Sequence, residues 1–347
     1  MRACVLTAPG GIDRLHITDV PDAAAPQAGD VRVAIRAAAL NHLDLFVAQG
    51  LPGSGPRFPH VVGADGAGVV ESVGSGVTTV RAGDRVLLNP GIADYTCEFC
   101  RAGEHSLCIG YKILGEHLPG TFAELVTLPA HNVAPLPAVT PDLTWPEAAA
   151  FSLVTLTAWR MVVTRAQVKA GETVLVWGIG GGVSLTALRI AKSLGARVIA
   201  TSSNDDKLAE ARRLGADVTI NHRTQKVSQE VRALTEKRGV EVVVENVGEA
   251  TWDESLRCLK RGGRVVTCGA TSGPQVRMDL RRVFWHHYTI MGSTMGNARE
   301  YAEIVRRLGG GELRPIVDRV FPLADAAQAY ERLAKGEQLG KVVVEVA

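Results

Sequence analysis

The stretch Val174-Leu175-Val176-Trp177-Gly178-Ile179-Gly180-Gly181-Gly182-Val183-Ser184 decides how this chain is read. Its apolar opening suits a strand buried on both faces, and Leu185–Leu194 beyond the glycines has the length and spacing of an amphipathic helix. Glycines between a strand and a helix let the backbone turn sharply and approach a ligand where a Cβ would collide. The helix that follows presents unpaired N–H groups and the positive end of its dipole, which suits a pyrophosphate. A turn that binds nothing is the alternative. Its place inside a β-α-β unit is what a dinucleotide site requires. Ser184 stands where a third glycine is usual, and serine is still small enough for close packing of helix on strand.

Outward from this turn the same alternation continues. Arg197–Thr201, Val240–Val244, Gly263–Cys268 and Thr289–Met291 read as strands and Lys207–Leu214 as a helix, which predicts a parallel sheet covered by helices. Before it, Val31–Arg36, Gly68–Val73, Arg85–Leu88 and Phe122–Leu128 are short apolar runs set among Gly, Pro and Asp, the pattern of a compact β domain. The Pro-rich tract Pro129–Pro146 leads into a helix start at Pro146, and the domain boundary is placed just beyond it. The tail returns to Val320–Leu323, a helix over Ala326–Ala334 and Lys341–Val346, and is expected to rejoin the first domain. The fold class is therefore α/β: a β domain plus a doubly wound parallel sheet of Rossmann type.

A chain of 347 residues is long enough for two hydrophobic cores. With 38 basic and 36 acidic residues there is no field for nucleic acid or an anionic membrane, and a small-molecule substrate is favoured. No apolar run reaches membrane-spanning length and Met1–Leu6 runs straight into a strand, so a cytoplasmic protein is expected.

Three of the six cysteines, Cys97, Cys100 and Cys108, crowd into one loop that opens with Asp94. Three thiolates and a carboxylate complete a closed tetrahedral site, so the four are candidate ligands of one structural zinc. A redox Cys-x-x-Cys pair and three free buried thiols are the competing readings. After Arg197–Thr201 the chain reads Ser202-Ser203-Asn204, without the acid that would bind the adenosine ribose of NAD. Ser202, Ser203 and Lys207 are candidate donors to a 2′-phosphate, which favours NADPH (NADP); otherwise Ser203 or Asn204 caps the next helix and Lys207 is a solvated surface residue.

Taken in order, Asn41-His42-Leu43-Asp44, Gly63-Ala64-Asp65-Gly66-Ala67-Gly68-Val69-Val70, Ala82-Gly83-Asp84-Arg85-Val86, the cysteine loop, Thr157-Ala158-Trp159, the glycine turn, Gly269-Ala270-Thr271, Gly292-Ser293 and Gly340-Lys341-Val342 resemble the medium-chain dehydrogenase/reductase superfamily. The resemblance covers nearly the whole chain. It implies a GroES-like catalytic domain over residues 1–153 and 291–347 and a Rossmann domain over 154–290. It further implies that Gly178, Gly180, Gly181, Gly182 and Val183 cradle the cofactor, with His42 near the pyrophosphate and Thr157 near the nicotinamide. Val247-Gly248, Gly269-Ala270 and Met291-Gly292 would run along the ribose and nicotinamide, and Lys341 joins the cofactor set. His42 as a packed interface residue, and the glycines as plain turn residues, are the bland alternatives. A homodimer or homotetramer is implied by the resemblance alone.

Zinc alcohol dehydrogenases of this superfamily hold a catalytic metal where this chain has Asn41, Ala64 and Leu153, with Asp65 beside them. Alanine and leucine cannot ligate, an amide replaces a thiolate poorly, and only His60 with Asp65 offers a substitute pair. The pattern resembles the quinone-oxidoreductase-like branch, in which Asn41 and Asp44 are the candidate catalytic residues: the Asn41 amide as donor or positioning group, Asp44 orienting its neighbours, or both as a buried hydrogen-bonded pair that fixes the loop. The expected activity is NADPH-dependent reduction of quinones or α,β-unsaturated carbonyl compounds by hydride transfer without a catalytic metal. The alternatives are a zinc-type alcohol dehydrogenase and a cofactor-binding protein with little turnover.

Overall fold

The computed structural model describes residues 1–51, 56–139 and 142–346. The chain first forms β1 (Arg2–Leu6), β2 (Leu15–Asp19), β3 (Asp30–Ala39), α1 (His42–Gln49), β4 (His60–Val61), β5 (Asp65–Val73) and β6 (Arg85–Leu88). The cysteine loop lies among β7 (Gly91–Ile92), the one-turn α2 (Glu98–Arg101) and β8 (Lys112–Ile113). Next come β9 (Leu125–Pro129), β10 (Val133–Pro135), α3 (Trp145–Ala149) and α4 (Ser152–Trp159).

The parallel region runs β11 (Thr173–Val176), α5 (Gly182–Ser193), β12 (Arg197–Ser202), α6 (Asp205–Arg213), β13 (Val218–Asn221), α7 (Val227–Leu234), β14 (Val240–Glu245), α8 (Trp252–Cys258), β15 (Leu259–Thr267), α9 (Leu280–His286) and β16 (Thr289–Gly292). The tail supplies α10 (Ala298–Gly309), β17 (Val317–Pro322), α11 (Ala326–Ala334) and β18 (Lys341–Glu345).

Two compact units result, Met1–Val154 with Gly296–Ala347, and Thr155–Met295. In the first, a seven-stranded sheet has the order β10-β6-β5-β3-β18-β17 with β9 on β3, beside a three-stranded sheet β2-β1-β4. The long β3 makes this possible, because its first half pairs with β9 and its last residues, Ala37–Ala39, pair with β18. The tail therefore returns to the first unit through backbone pairing of Val343, Val344 and Glu345 with Ala39, Ala38 and Ala37. Alternate residues of β3, Val31, Val33 and Ile35, are buried and join Leu6, Leu40, Phe122, Leu128 and Tyr330 in one core.

The second unit is a six-stranded sheet of order β13-β12-β11-β14-β15-β16, every pair parallel. Strand β14 is buried along its whole length, as a strand covered by helices on both faces must be. β11 and β14 are neighbours although β12 and β13 intervene in sequence. The strand order reverses there, and that crevice at the carboxyl ends is where such sheets bind ligands. Strand β16 runs across residue 290, the expected domain limit, and belongs to this sheet. No helix among the described residues is long and apolar enough to cross a membrane.

Candidate functional site

In the second unit the glycine turn has the predicted shape. Gly178 and Gly180 take φ of +65° and +140°, where a side chain would be strained, and Gly181 opens α5 with Gly182 and Val183 in its first turn. A Cβ on Gly178 would meet Val247 Cγ2 at 3.6 Å and Asn246 Oδ1 at 3.7 Å, so the loop after β14 lies against the glycine turn. Ser184 is fully buried; its hydroxyl donates to Trp177 O at 2.7 Å and accepts from Asn246 Nδ2 at 2.7 Å. Gly248 is at φ +90°, and a Cβ there would lie 2.6 Å from Gly273 O, so this loop is packed directly on Gly269–Gly273. Met291 lies in β16 opposite Val266. The Thr157 hydroxyl is buried and contacts Met295 Sδ at 3.8 Å.

At the end of β12, Ser202 is buried and its Oγ accepts from Asn204 N at 3.2 Å, which leaves its own proton to donate. Ser203 is exposed. Asn204 caps α6 by accepting from Lys207 N at 3.1 Å, one of the two roles the sequence left open; the Lys207 side chain is half-buried. Sequence reading missed Arg223. It is exposed and follows β13, whose Asn221 pairs with Ser202 and whose next residue, His222, donates its N–H to Ser202 O at 3.0 Å. Strand register brings this cation to the same edge as the serines, which no local motif announces.

The first unit holds two clusters. Asp94, Cys97, Cys100 and Cys108 offer ligand atoms all within 4.8 Å of one another, a separation that suits a tetrahedral zinc. Asp94 Oδ1 accepts from Thr96 N at 2.7 Å and Cys97 N at 2.9 Å, bonds that hold its carboxyl well below the usual carboxylate range. The Cys100 thiol is pushed up to about 12 by burial and then by Cys97 and Cys108, the mark of crowded sulfurs whose charge a dication would relieve. All six cysteines are free of disulfides.

The second cluster is a buried network built on Asp65, which is fully buried at the start of β5. Its Oδ1 accepts from Leu153 N at 2.8 Å, and its Oδ2 from Lys341 Nζ at 2.9 Å and Asn41 Nδ2 at 3.0 Å. Lys341 Nζ also donates to Asn41 Oδ1 at 2.5 Å. Asn41 Nδ2 makes a longer contact of 3.4 Å to Ala39 O, so both amide hydrogens have acceptors within the protein. Asn41 caps α1, and Asp44 Oδ2 accepts from Asn41 N at 2.7 Å to complete a capping box. Asp44 is 1 % exposed and pushed up to about 7, chiefly by burial. His42, half-buried in the first turn of α1, is held below its ordinary value by burial and by the nearby Lys341 charge. The resemblance placed Lys341 with the cofactor set; the residue is 4 % exposed and its ammonium is engaged with Asp65 and Asn41.

A catalytic zinc does not fit this network. Ala64 and Leu153 carry no ligand atom, and Asp65 has both oxygens occupied. His60 leaves Nε2 without a partner, yet the cysteine loop is the one group of three or more His, Cys, Asp or Glu among the described residues arranged to share an ion.

A doubly wound sheet with a glycine turn at its switch point, and a β unit carrying a thiolate lobe, define a nicotinamide-dependent oxidoreductase. The comparisons with known proteins give the same class. Residues 27–138 match the alcohol dehydrogenase GroES-like domain and residues 182–309 the zinc-binding dehydrogenase family. A zinc-type alcohol dehydrogenase-like protein of Schizosaccharomyces pombe is 33% identical over 325 residues, 92% of this chain and 91% of that protein. An acryloyl-coenzyme A reductase of Metallosphaera sedula is 32% identical over 322 residues, 92% of this chain and 93% of that protein. A crystal structure of an NAD-dependent alcohol dehydrogenase superposes with a TM-score of 0.95 at 44% identity, covering 100% of both chains. The chain belongs to the medium-chain dehydrogenase/reductase superfamily. It is an NAD(P)-dependent oxidoreductase, and its Cys/Asp cluster is suited to a structural zinc.

Proposed function

We propose that this enzyme transfers hydride from NADPH to a conjugated acceptor, a quinone or an α,β-unsaturated carbonyl compound, with no metal at the reacting centre. The observation that carries the reading is the Asp65 network: where zinc dehydrogenases of the family place ligands, this chain has Asn41, Ala64 and Leu153, and the remaining acid is bound by an ammonium, an amide and a backbone N–H. A metal supplies several kcal/mol to a developing alkoxide, on the order seen for Lewis-acid catalysis. A conjugated acceptor needs less help. Hydride adds to the β-carbon of an enone, whose π electrons move to the carbonyl oxygen as an enolate, or to a carbonyl oxygen of a quinone, leaving a hydroquinone monoanion; either anion is spread by resonance before water protonates it. That one relative is named an acryloyl-coenzyme A reductase favours acceptors of this type.

Asn41 and Asp44 serve in this reading as positioning residues that hold the start of α1, and Lys341 as the fixed positive charge beside them. Gly178, Gly180, Gly181, Gly182 and Val183 receive the pyrophosphate, while Thr157, Val247, Gly269, Ala270 and Met291 follow the nicotinamide half. Ser202, Ser203 and Arg223 favour a 2′-phosphate, with Lys207 adding positive charge. Met1–Val154 with Gly296–Ala347 act in this reading as the catalytic domain and Thr155–Met295 as the cofactor domain. Free thiols held for a metal fit the cytoplasm.

The test is NADPH consumption with a panel of quinones, enones, an unsaturated acyl thioester and simple aldehydes, alongside NADP-linked alcohol oxidation. Activity on the conjugated acceptors well above that on alcohols and aldehydes is expected. The reverse order, or a second zinc per chain, restores the alcohol dehydrogenase reading. Binding of NADPH with no turnover on any acceptor leaves a cofactor-binding protein.

A further inference from the structure

The fingerprint's third small position is filled by a serine, and the structure shows what its hydroxyl does. Ser184 lies in the first turn of α5, fully buried, and reaches back across the glycine turn to donate to Trp177 O. Close packing of helix on strand asks only for a small side chain here, so size alone does not call for a hydroxyl. The same oxygen accepts from Asn246, the first residue after β14. One hydroxyl thus ties together the loops that follow the two central strands, at the point where strand order reverses.

The far end of this tie is itself anchored. Glu245 is fully buried, and its carboxylate accepts from Val247 N at 2.7 Å, Gly248 N at 3.2 Å, Thr251 Oγ1 at 2.9 Å and Ser255 Oγ at 2.6 Å. A carboxylate with its lone pairs filled by backbone and hydroxyl donors makes a rigid turn. It fixes Asn246–Thr251 onto α8 but gives that loop no link to the glycine turn. The Ser184–Asn246 bond gives one.

We propose that Ser184 and Asn246 form a coupled pair of positioning residues that sets the Val247-Gly248 loop against the glycine turn and so presets the nicotinamide half of the dinucleotide site. The pair rests on the reading above, in which these two loops hold the dinucleotide. It makes restoration of the fingerprint glycine, Ser184→Gly, harmful to cofactor binding. A preset site has less ordering left to do when the ligand arrives, and that difference appears as affinity.

The experiment titrates wild type, Ser184→Ala, Asn246→Ala and the double variant calorimetrically with NADPH and with adenosine 2′,5′-bisphosphate, which lacks the nicotinamide half. Ser184→Ala is the working variant because alanine suits a helix and adds no volume. Asn246→Leu, which keeps the size, removes the donor and adds no charge, is its partner should Asn246→Ala fold poorly. Each single change is expected to weaken NADPH about tenfold, the worth of one buried hydrogen bond, and the bisphosphate less than about twofold. The double variant should be no weaker than the worse single. Unchanged NADPH affinity in Ser184→Ala, losses that add in the double variant, or equal losses for both ligands overturn the pair. If wild type binds NADPH no tighter than the bisphosphate, it is the underlying assignment of these loops that fails.

Discussion

Asp44 is the residue whose environment makes the sharpest demand. Its carboxyl is buried beside Cys4 and Tyr330 and accepts from Asn41 N; burial raises it most, Lys341 lowers it and Asp65 raises it again, to about 7. The folded state therefore holds this proton more tightly than the unfolded chain, whose carboxyl keeps the ordinary value of 3.8. Between those two values the unfolded chain binds fewer protons, so this group's contribution to stability falls as pH rises through about 7 and is fully present below about 4. Asp44→Asn keeps an oxygen for Asn41 N and removes the titration. Thermal melts should show the variant gaining on wild type at pH 8 and the difference shrinking toward pH 5. A loss of equal size at every pH would mean that Asp44 is ionised throughout. At the cofactor edge, Ser202→Asp should turn a preference for NADPH into one for NADH through repulsion of the 2′-phosphate, and Arg223→Ala should weaken NADPH about tenfold while leaving NADH nearly unchanged, both read by titration.

Among the elements, the cysteine lobe is the one whose order depends on a ligand. Its helix α2 is a single turn, and apart from Cys100, Cys108 and Ala93 it buries little apolar surface of its own. Zinc removal is expected to loosen it. Asp94 has two roles that one variant separates: Asp94→Asn keeps the acceptor for Thr96 N and Cys97 N but loses the charge. Zinc should then dissociate at least about tenfold faster into a chelator if the carboxylate is a ligand, in line with the cost of altering a metal's surroundings. Unaltered release would assign Asp94 to the backbone alone. The lobe also touches α10, where His105 Nδ1 accepts from Ala298 N at 3.3 Å, so the first turn of that helix should exchange faster in zinc-free protein.

Elements were legible in proportion to how local their causes are. Strand β11, the glycine turn and α5 follow from a buried apolar run, positive-φ glycines and one helical face. β6 and α11 fall where their periodicity puts them. Helices α7 to α10 went unread, although α10 carries the plain signal of Asn297 and Glu300 in a capping box. α9 misleads for a different reason: none of its residues is buried, so its apolar side chains do not mark a core.

That exposed helix matters for the molecule as a whole. Leu280, Phe284 and Trp285 are 64%, 64% and 66% exposed, and α9 leads into β16, the edge strand of the parallel sheet among the described residues, where Ile290 is exposed. An open strand edge with an apolar helix next to it invites a second copy, and a two-fold axis through that edge would close both surfaces. We expect a dimer in solution by light scattering, and a monomer for the double variant Phe284→Glu/Trp285→Glu; unchanged mass in that variant would place any interface elsewhere.

The Asp65 network shows where sequence reading stops. Asn41, Asp65 and the missing ligands at 64 and 153 were visible one by one. That Lys341 meets Asp65 across 276 positions and Asn41 across 300 follows only from the pairing of β18 with β3. The claim built on that network is hydride transfer to a conjugated acceptor without a metal at the reacting centre, and its most direct test is an anomalous-difference map at the zinc edge from crystals grown with NADPH. About one zinc per chain is expected, in a closed four-ligand site at Asp94, Cys97, Cys100 and Cys108. A second peak bound through Asp65 or His60 would contradict it.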